Sequence, residues 1–256
     1  MPKNTKISEL IRSWAAAVQR NCYLLLPGCC VLCGILSKRP MDLCRGCEAD
    51  LPFNQNACQC CSLPFGHTSQ PSQDVETNTA ICGACLSNPP SFSRCVAPLR
   101  YEFPANKLIN QFKHHGRFSS GVVLAELLLD ELRGREALPN LILPVPLHWR
   151  RQFSRGHNQA HWLGHYLGQR LGIALDTSLL SRQKHTPSQQ GLPRQQRLKN
   201  LKGAFRLNRN LDIKSIALVD DVVTTGSTIA ELSGLLRKAG ARHIEIWCLA
   251  RTPLEK

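Results

Sequence analysis

Asp220 and Asp221 stand side by side between an apolar run, Ile216 to Val219, and a string of hydroxyl-bearing residues, Thr224-Thr225-Gly226-Ser227-Thr228. Paired carboxylates hold sugar hydroxyls or a divalent cation. Clustered hydroxyls and closely spaced backbone N–H groups hold a phosphate, and Gly226 brings no Cβ between the backbone and an anion. The apolar run predicts a buried strand over Ile216–Val219 that ends at the two acids, where open α/β sheets place their ligands. A helix predicted from about Ser227 to Ala239, closed by Gly240, aims its positive end at the same anion. Such an arrangement suits a sugar phosphate, with the carboxylates on the ribose and the loop on the phosphate. An ordinary core strand and capped helix would explain Ser227 or Thr228 as an N-cap, but not two adjacent acids.

The stretch Ala217–Thr228, ALVDDVVTTGST, resembles the phosphoribosyl-pyrophosphate (PRPP) loop of type I phosphoribosyltransferases. The resemblance implies that Asp220, Asp221, Thr224, Thr225, Gly226, Ser227 and Thr228 bind PRPP, that the two aspartates are the catalytic pair, and that Mg²⁺ accompanies the ligand. A second anion site is read in Leu143–Gln159, where a short strand is followed by Arg150, Arg151, Arg155, Gly156, Asn158 and Gln159 and then a helix. In a phosphoribosyltransferase such a loop meets the pyrophosphate, which gains charge as it leaves. The alternative is a basic surface turn with Asn158 as an N-cap. Lys113 and Arg117 either reach the same cleft or are surface charges.

Cysteines supply the other chemistry. The chain has thirteen, an odd number, and eight of them form C-x-x-C pairs: Cys30/Cys33, Cys44/Cys47, Cys58/Cys61 and Cys82/Cys85. Two such turns close a tetrahedral site of four thiolates, which favours zinc over harder ions. Sequential pairing gives one site from Cys30, Cys33, Cys44 and Cys47 and another from Cys58, Cys61, Cys82 and Cys85. Interleaved pairing, disulfides and an iron–sulfur cluster are the alternatives, and Cys29 and Cys60 are possible substitute ligands. Glycines accompany the pairs (Gly34, Gly46, Gly83), as tight metal knuckles require. Cys22, Cys95 and Cys248 read as small apolar fillers.

These residues need a frame. Ile7, Leu10, Ile11, Trp14 and Val18 share one face of a helix, so residues 1–21 are read as an N-terminal helix. Residues 22–90 form a Cys-rich double zinc-finger module, poor in apolar residues, in which metal does the work of a core; His67–Ala80 is read as a flexible insertion and Asn88–Ser93 as a linker. Residues 94–256 alternate strand and helix: strands at Val96–Tyr101, Leu141–Val145, Ser215–Val219 and His243–Leu249, helices at Pro104–Lys113, Gly121–Arg133 and Asn158–Leu171. Gln183–Leu201 is read as a mobile loop carrying Lys184, Arg194 and Arg197. The alternation predicts an α/β fold with a mostly parallel sheet covered on both faces.

Composition sets bounds. The 256 residues are 43% hydrophobic and carry a net charge of +14. Thirteen Lys and Arg lie between Arg150 and Lys214 against only Asp176 and Asp212, a stretch that calls for pyrophosphate, a nucleotide or a nucleic-acid backbone, or else forms a solvated basic face. The cysteine pattern favours metal in a reducing, cytoplasmic compartment over a secreted disulfide framework. No apolar run is long enough to span a membrane and no signal peptide is read.

Nearly the whole chain resembles the ComF/GntX family, which is linked to competence and to use of external DNA. The paired C-x-x-C region, LINQFKHHGR within Tyr101–Arg117, PVPLHWRRQFSRGHNQ, the segment Thr186–Phe205 and VDDVVTTGST fall in family order. His157 departs from the pattern, standing where the family usually has Phe in Arg-Gly-Phe-Asn-Gln. The resemblance implies a type I phosphoribosyltransferase-like domain behind a zinc-finger module, structural zinc, PRPP with Mg²⁺, and single-stranded DNA or proteins of the uptake machinery as partners. It leaves three readings: a phosphoribosyltransferase whose acceptor is open, a non-catalytic PRPP or nucleotide sensor, and a single-stranded DNA binder. Few aromatics interleave with the basic residues, which weighs against the last as a sole function.

Overall fold

The computed structural model describes residues 28–66, 80–147, 158–183 and 203–253, the side chains of 114 and 115 excepted. The predicted helix at residues 5–18, most of the insertion (67–79), the arginines at 150, 151 and 155, and the basic segment 184–202 lie outside the described residues.

Two short helices, α1 (Arg45–Ala49) and α2 (Gly83–Ser87), belong to the cysteine-rich part. After them come β1 (Arg94–Val96), β2 (Leu99–Arg100), α3 (Ala105–His115), α4 (Phe118–Arg133), β3 (Leu141–Pro144), α5 (Gln159–Leu171), β4 (Ala174–Leu175), β5 (Leu180–Arg182), β6 (Phe205–Leu207), β7 (Ser215–Val223), α6 (Ser227–Lys238) and β8 (His243–Arg251). The main sheet runs β1-β8-β7-β3-β4, with β2 prolonging β1 along β8, and every pairing in it is parallel. The expected strand Val96–Tyr101 is thus two pieces, broken at Ala97–Pro98.

Period-two alternation puts successive side chains on opposite faces. Ala217, Val219, Trp247 and Leu249 face a core shared with α3, α4 and α5. Ile216, Leu218, Ile246 and Cys248 face the other core, filled by Ile229, Leu232 and Leu236 of α6. Burial on both sides explains why β7 and β8 read as nearly unbroken apolar runs. Close approach is built in: a Cβ on Gly168 of α5 would lie 2.9 Å from the Ile173 carbonyl oxygen.

The cysteine-rich part is fused to this body. Cys30, Leu43 and Leu51 join the core of α3 and α4. On the outer side of β1 and β2, the Cys95 amide donates to the Cys60 carbonyl at 2.8 Å, Asn54 N–H to the Pro98 carbonyl at 2.8 Å, and Arg100 N–H to the Pro52 carbonyl at 2.8 Å. The segment read as a linker is also tied down, since Ser93 N–H bonds the Ile244 carbonyl and Arg237 Nε bonds the Ser91 carbonyl.

Candidate functional site

The strand carrying the two acids is longer than its apolar run implies. It continues through Asp220 and Asp221 to Val223, because Asp220, Val222 and Val223 stay in register with Cys248, Ala250 and Arg251 of β8. The acids therefore sit inside the C-terminal part of the strand rather than beyond its end. Asp221 turns toward α3, where Lys113 Nζ lies 3.0 Å from its Oδ2, both side chains mostly enclosed. Asp220 is unlike it. Burial pushes its carboxyl up and the charge of Asp221 pushes it further, to about 7, against the pull of the Asp221 amide, Lys113 and Arg182.

Thr224, Thr225 and Gly226 turn the chain into α6. Gly226, not Ser227 or Thr228, is the N-cap, and its φ of 75° is the left-handed conformation that favours glycine. A Cβ there would meet only Val223 Cγ1 at 4.0 Å, so the glycine is required by backbone conformation rather than by lack of room. Gly226 has no side chain to cap the helix; Thr225 Oγ1 accepts weakly from the Ser227 amide at 3.5 Å, and first-turn amides have no partner in their own helix. Thr225 Oγ1 and Ser227 Oγ lie 2.9 Å apart. Such a turn offers N–H and O–H donors and a helix-dipole end to an anion, next to two carboxylates.

The start of α5 is organised differently. Asn158 Oδ1 accepts from the amides of Ala160 and His161, at 3.0 and 3.4 Å, so this N-terminus is capped by its own side chain. Gln159 is buried and its Nε2 donates to the Lys113 carbonyl at 3.1 Å. Both residues hold α5 against the site. The end of β3 lies beside β7, where Val145 N–H bonds the Val219 carbonyl at 2.9 Å, one residue from Asp220. Arg117 is exposed at the start of α4; of the two cations in LINQFKHHGR, Lys113 is the one that meets an acid.

Strands β5 and β6, which sequence reading missed, pair antiparallel with Arg182 opposite Phe205. They form a two-stranded arm whose ends deliver the chain into and out of the basic segment 184–202. Three-residue strands carry too little alternation to be seen.

Both cysteine quartets come together in sequential order, with the four sulfurs of each within 4.8 Å of one another. A tetrahedral zinc with Zn–S bonds of about 2.3 Å needs sulfurs about 3.8 Å apart. Cys33 and Cys44 Sγ are 3.8 Å apart, and Cys61 and Cys82 Sγ 3.7 Å, which fits zinc and is far too long for a disulfide. Interleaved pairing does not occur, and Cys29 and Cys60 are outside both quartets. Burial raises the Cys30 thiol, but the amides of Cys44, Cys33 and Leu32 outweigh it and bring it down to about 6. Cys58 behaves alike: the amides of Cys82, Cys61 and Cys60 overcome burial and bring it to about 7. Burial pushes Cys47, Cys61 and Cys85 the other way, so each quartet holds one lowered thiol beside others that would give up a proton to a bound metal.

The two knuckles are copies of one design. Gly34 N–H bonds the Cys30 carbonyl and Ser62 N–H the Cys58 carbonyl, each at 2.8 Å, and Cys44 and Cys82 are the N-caps of α1 and α2. Gly34 and Ser62 occupy equivalent left-handed positions, with φ of 78° and 51°. Gly46 and Gly83 do not share this conformation; they lie in the first turns of α1 and α2. Ser62 is held in its position by its hydroxyl, which donates to the Cys95 carbonyl of β1 at 2.6 Å.

Arg251 went unnoticed in the sequence. It ends β8 almost wholly buried, and its guanidinium donates to the carbonyls of Val223, Thr224 and Thr252 and, through Nε, to that of Cys61. The available signal was a cation closing the apolar strand HIEIWCLAR.

Comparison with known proteins gives a consistent frame. The double zinc ribbon domain family matches residues 22–86 and the phosphoribosyl transferase domain family matches residues 119–255. The chain is 38% identical over 235 residues to "DNA utilization protein YhgH" of Salmonella typhi, covering 90% of this chain and 99% of that protein. It is 38% identical over 232 residues to "Competence protein F" of Haemophilus influenzae, covering 87% and 96%. An adenine phosphoribosyltransferase structure from Leishmania tarentolae is 19% identical over 52% of this chain and 57% of its own, with a TM-score of 0.33, too distant to argue from. No helix among the described residues is long and apolar enough to cross a membrane.

Proposed function

Because the chain belongs to the ComF/GntX family of competence and DNA utilization proteins, a double zinc ribbon joined to a phosphoribosyltransferase domain, we propose that it binds PRPP at the β7–α6 loop and transfers the phosphoribosyl group in a pathway that takes up or uses external DNA. One observation carries the reading. Two carboxylates near the C-terminal end of a central parallel strand lead into a loop whose left-handed glycine is the N-cap of the next helix.

In this reading the 5′-phosphate rests on Thr224, Thr225, Gly226, Ser227 and Thr228, at the positive end of α6. Asp220 and Asp221 face the ribose. Arg150, Arg151 and Arg155, which follow β3 in the chain, take the pyrophosphate. Asn158 and Gln159 act indirectly, by capping α5 and by holding Lys113. As the bond from C1 to the pyrophosphate oxygen breaks, the electron pair leaves with pyrophosphate and positive charge builds on the sugar ring. Asp220 and Asp221 stabilise that charge electrostatically. The acceptor then forms its bond to C1 and gives up a proton. The basic segment 184–202, borne on the β5–β6 arm, excludes water from the reacting sugar.

Two adjacent carboxylates, one of them held partly protonated by burial and by its neighbour's charge, are hard oxygen donors suited to Mg²⁺. Asp220 and Asp221 would hold the ion, which when bound supplies charge neutralisation at the ribose and pyrophosphate oxygens. Lys113 is the resident cation on the Asp221 side.

Isothermal titration of PRPP with Mg²⁺ into zinc-replete protein tests the reading, beside the Asp220→Asn/Asp221→Asn double variant. Micromolar binding that the double variant loses is the expected result. Equal binding by both would remove the aspartates from the site, and no binding to the parent would overturn the reading and turn attention to single-stranded DNA.

A further inference from the structure

A buried arginine is costly unless its donors are satisfied. Arg251 meets that cost with backbone carbonyls from two regions. Nη1 reaches Val223 at 2.8 Å, Thr224, and Thr252 at 3.2 Å, while Nε reaches Cys61 at 3.2 Å. Val223 is the last residue of β7 and Thr224 the first of the loop entering α6. Cys61 is the second cysteine of the second knuckle. One planar guanidinium therefore bonds the metal knuckle and the loop at once, and its fixed fork prevents one from shifting without the other.

The knuckle is itself anchored at this point. Cys60 and Ser62, on either side of Cys61, bond the backbone of Cys95, so the Cys61 carbonyl is presented to Arg251 from a rigid base. With metal bound, the cluster of four thiolates is net negative and favours a cation beside it. Without metal, Cys58, Cys61, Cys82 and Cys85 have no common centre to hold the turn.

We propose that Arg251 is a positioning residue through which the second cysteine cluster sets the geometry of the Val223–Thr228 loop, so that zinc at that cluster and an anion at the loop stabilise each other. Linkage of this kind is reciprocal. The inference rests on reading the loop as the PRPP site, but its first readout does not.

The experiment uses the full chain. Amide hydrogen exchange is followed at residues 223–228 in the parent, in Arg251→Gln and in Arg251→Lys, each with zinc bound and after chelation. Zinc release to a chromophoric chelator is timed with and without PRPP and Mg²⁺. In the parent, stripping zinc is expected to speed loop exchange roughly tenfold while α4 stays protected, and PRPP is expected to slow release from one of the two clusters. In Arg251→Gln the loop exchanges fast with zinc still bound, and PRPP no longer affects zinc release. Arg251→Lys, which keeps charge but not the fork, falls between and serves if the Gln variant does not fold. Cys33→Ser, which disables the first cluster only, leaves loop exchange at the parent rate. Loop exchange that ignores both zinc removal and the Arg251 substitutions would overturn the proposal. If the parent binds no PRPP, the functional reading fails while the exchange data still decide the role of Arg251.

Discussion

Lys113 on α3 and Asp221 on β7 form an ion pair of 3.0 Å across the face of the sheet, and the carbonyl of that same lysine is held by Gln159. The pair is enclosed enough to matter to the fold and exposed enough to be used. Lys113→Met leaves a carboxylate without its cation and is expected to cost about 1–2 kcal/mol, between the values for exposed and buried pairs. Asp221→Asn added to it should recover part of that loss. Thermal denaturation of the four-member cycle checks this, and strict additivity would mean the pair contributes nothing.

Asp220 is expected to give stability a pH dependence of unusual sign for an acid. Its folded-state value is about 7 against an ordinary 3.8. The protonated carboxyl is the form the fold prefers, so its contribution is complete below the ordinary value and is lost as pH rises through about 7. Asp220→Asn keeps the shape without the charge. In metal-free buffer the variant should gain on the parent between about pH 5 and pH 8, reaching on the order of 2 kcal/mol. Urea unfolding at several pH values measures the gap, and a gap independent of pH would refute the assignment.

Glu245 shows the opposite sign. Burial would raise it, but Arg135, Trp247 and His243 together hold it below its ordinary 4.5, with Arg135 Nη2 at 2.6 Å and Trp247 Nε1 at 2.8 Å. Its contribution is present above the ordinary value and is lost as pH falls through the lower folded-state value. Glu245→Gln strands a guanidinium and should cost about 3 kcal/mol near neutral pH. Denaturation in acid should show that cost shrinking.

Ser62 offers a test of docking against backbone strain. Ser62→Ala removes the hydroxyl from the Cys95 carbonyl and keeps a Cβ in a left-handed conformation, and should cost about 1–2 kcal/mol. Ser62→Gly loses the same bond but relaxes the backbone, so it should be less harmful by about 0.5–1 kcal/mol. The order of the two melting temperatures is the check; the reverse order would mean the backbone carries no strain.

Local order made part of this legible in the sequence. The strand, loop and helix around Asp220 are contiguous and could be read directly; the C-x-x-C pairs announce a metal knuckle each, but which pairs share a site is set by the fold. Residues whose partners lie far along the chain could not. Nothing in LINQFKHHGR says that Lys113, rather than Arg117, meets Asp221, because the answer depends on how α3 crosses β7. The extension of β7 through two acids was hidden because charge reads as the end of a strand, whereas pairing with Cys248, Ala250 and Arg251 carries it on. The cysteine-rich part looked too poor in apolar residues to share a core, yet Leu43 and Leu51 are enough to fuse it to α3 and α4. Arg251 was invisible since its acceptors are backbone carbonyls, which any sequence supplies.

The ribbon laid along β1 and β2 also closes one border of the parallel sheet. The carbonyls of Cys95, Ala97 and Pro98 and the Cys95 amide are all engaged by Cys60, Ser62 and Asn54. Lift that cover and the same groups become a template for a foreign strand, the state from which proteins aggregate. Metal starvation would then register first as clumping of otherwise folded molecules: the zinc ribbon is the chaperone of its own sheet edge.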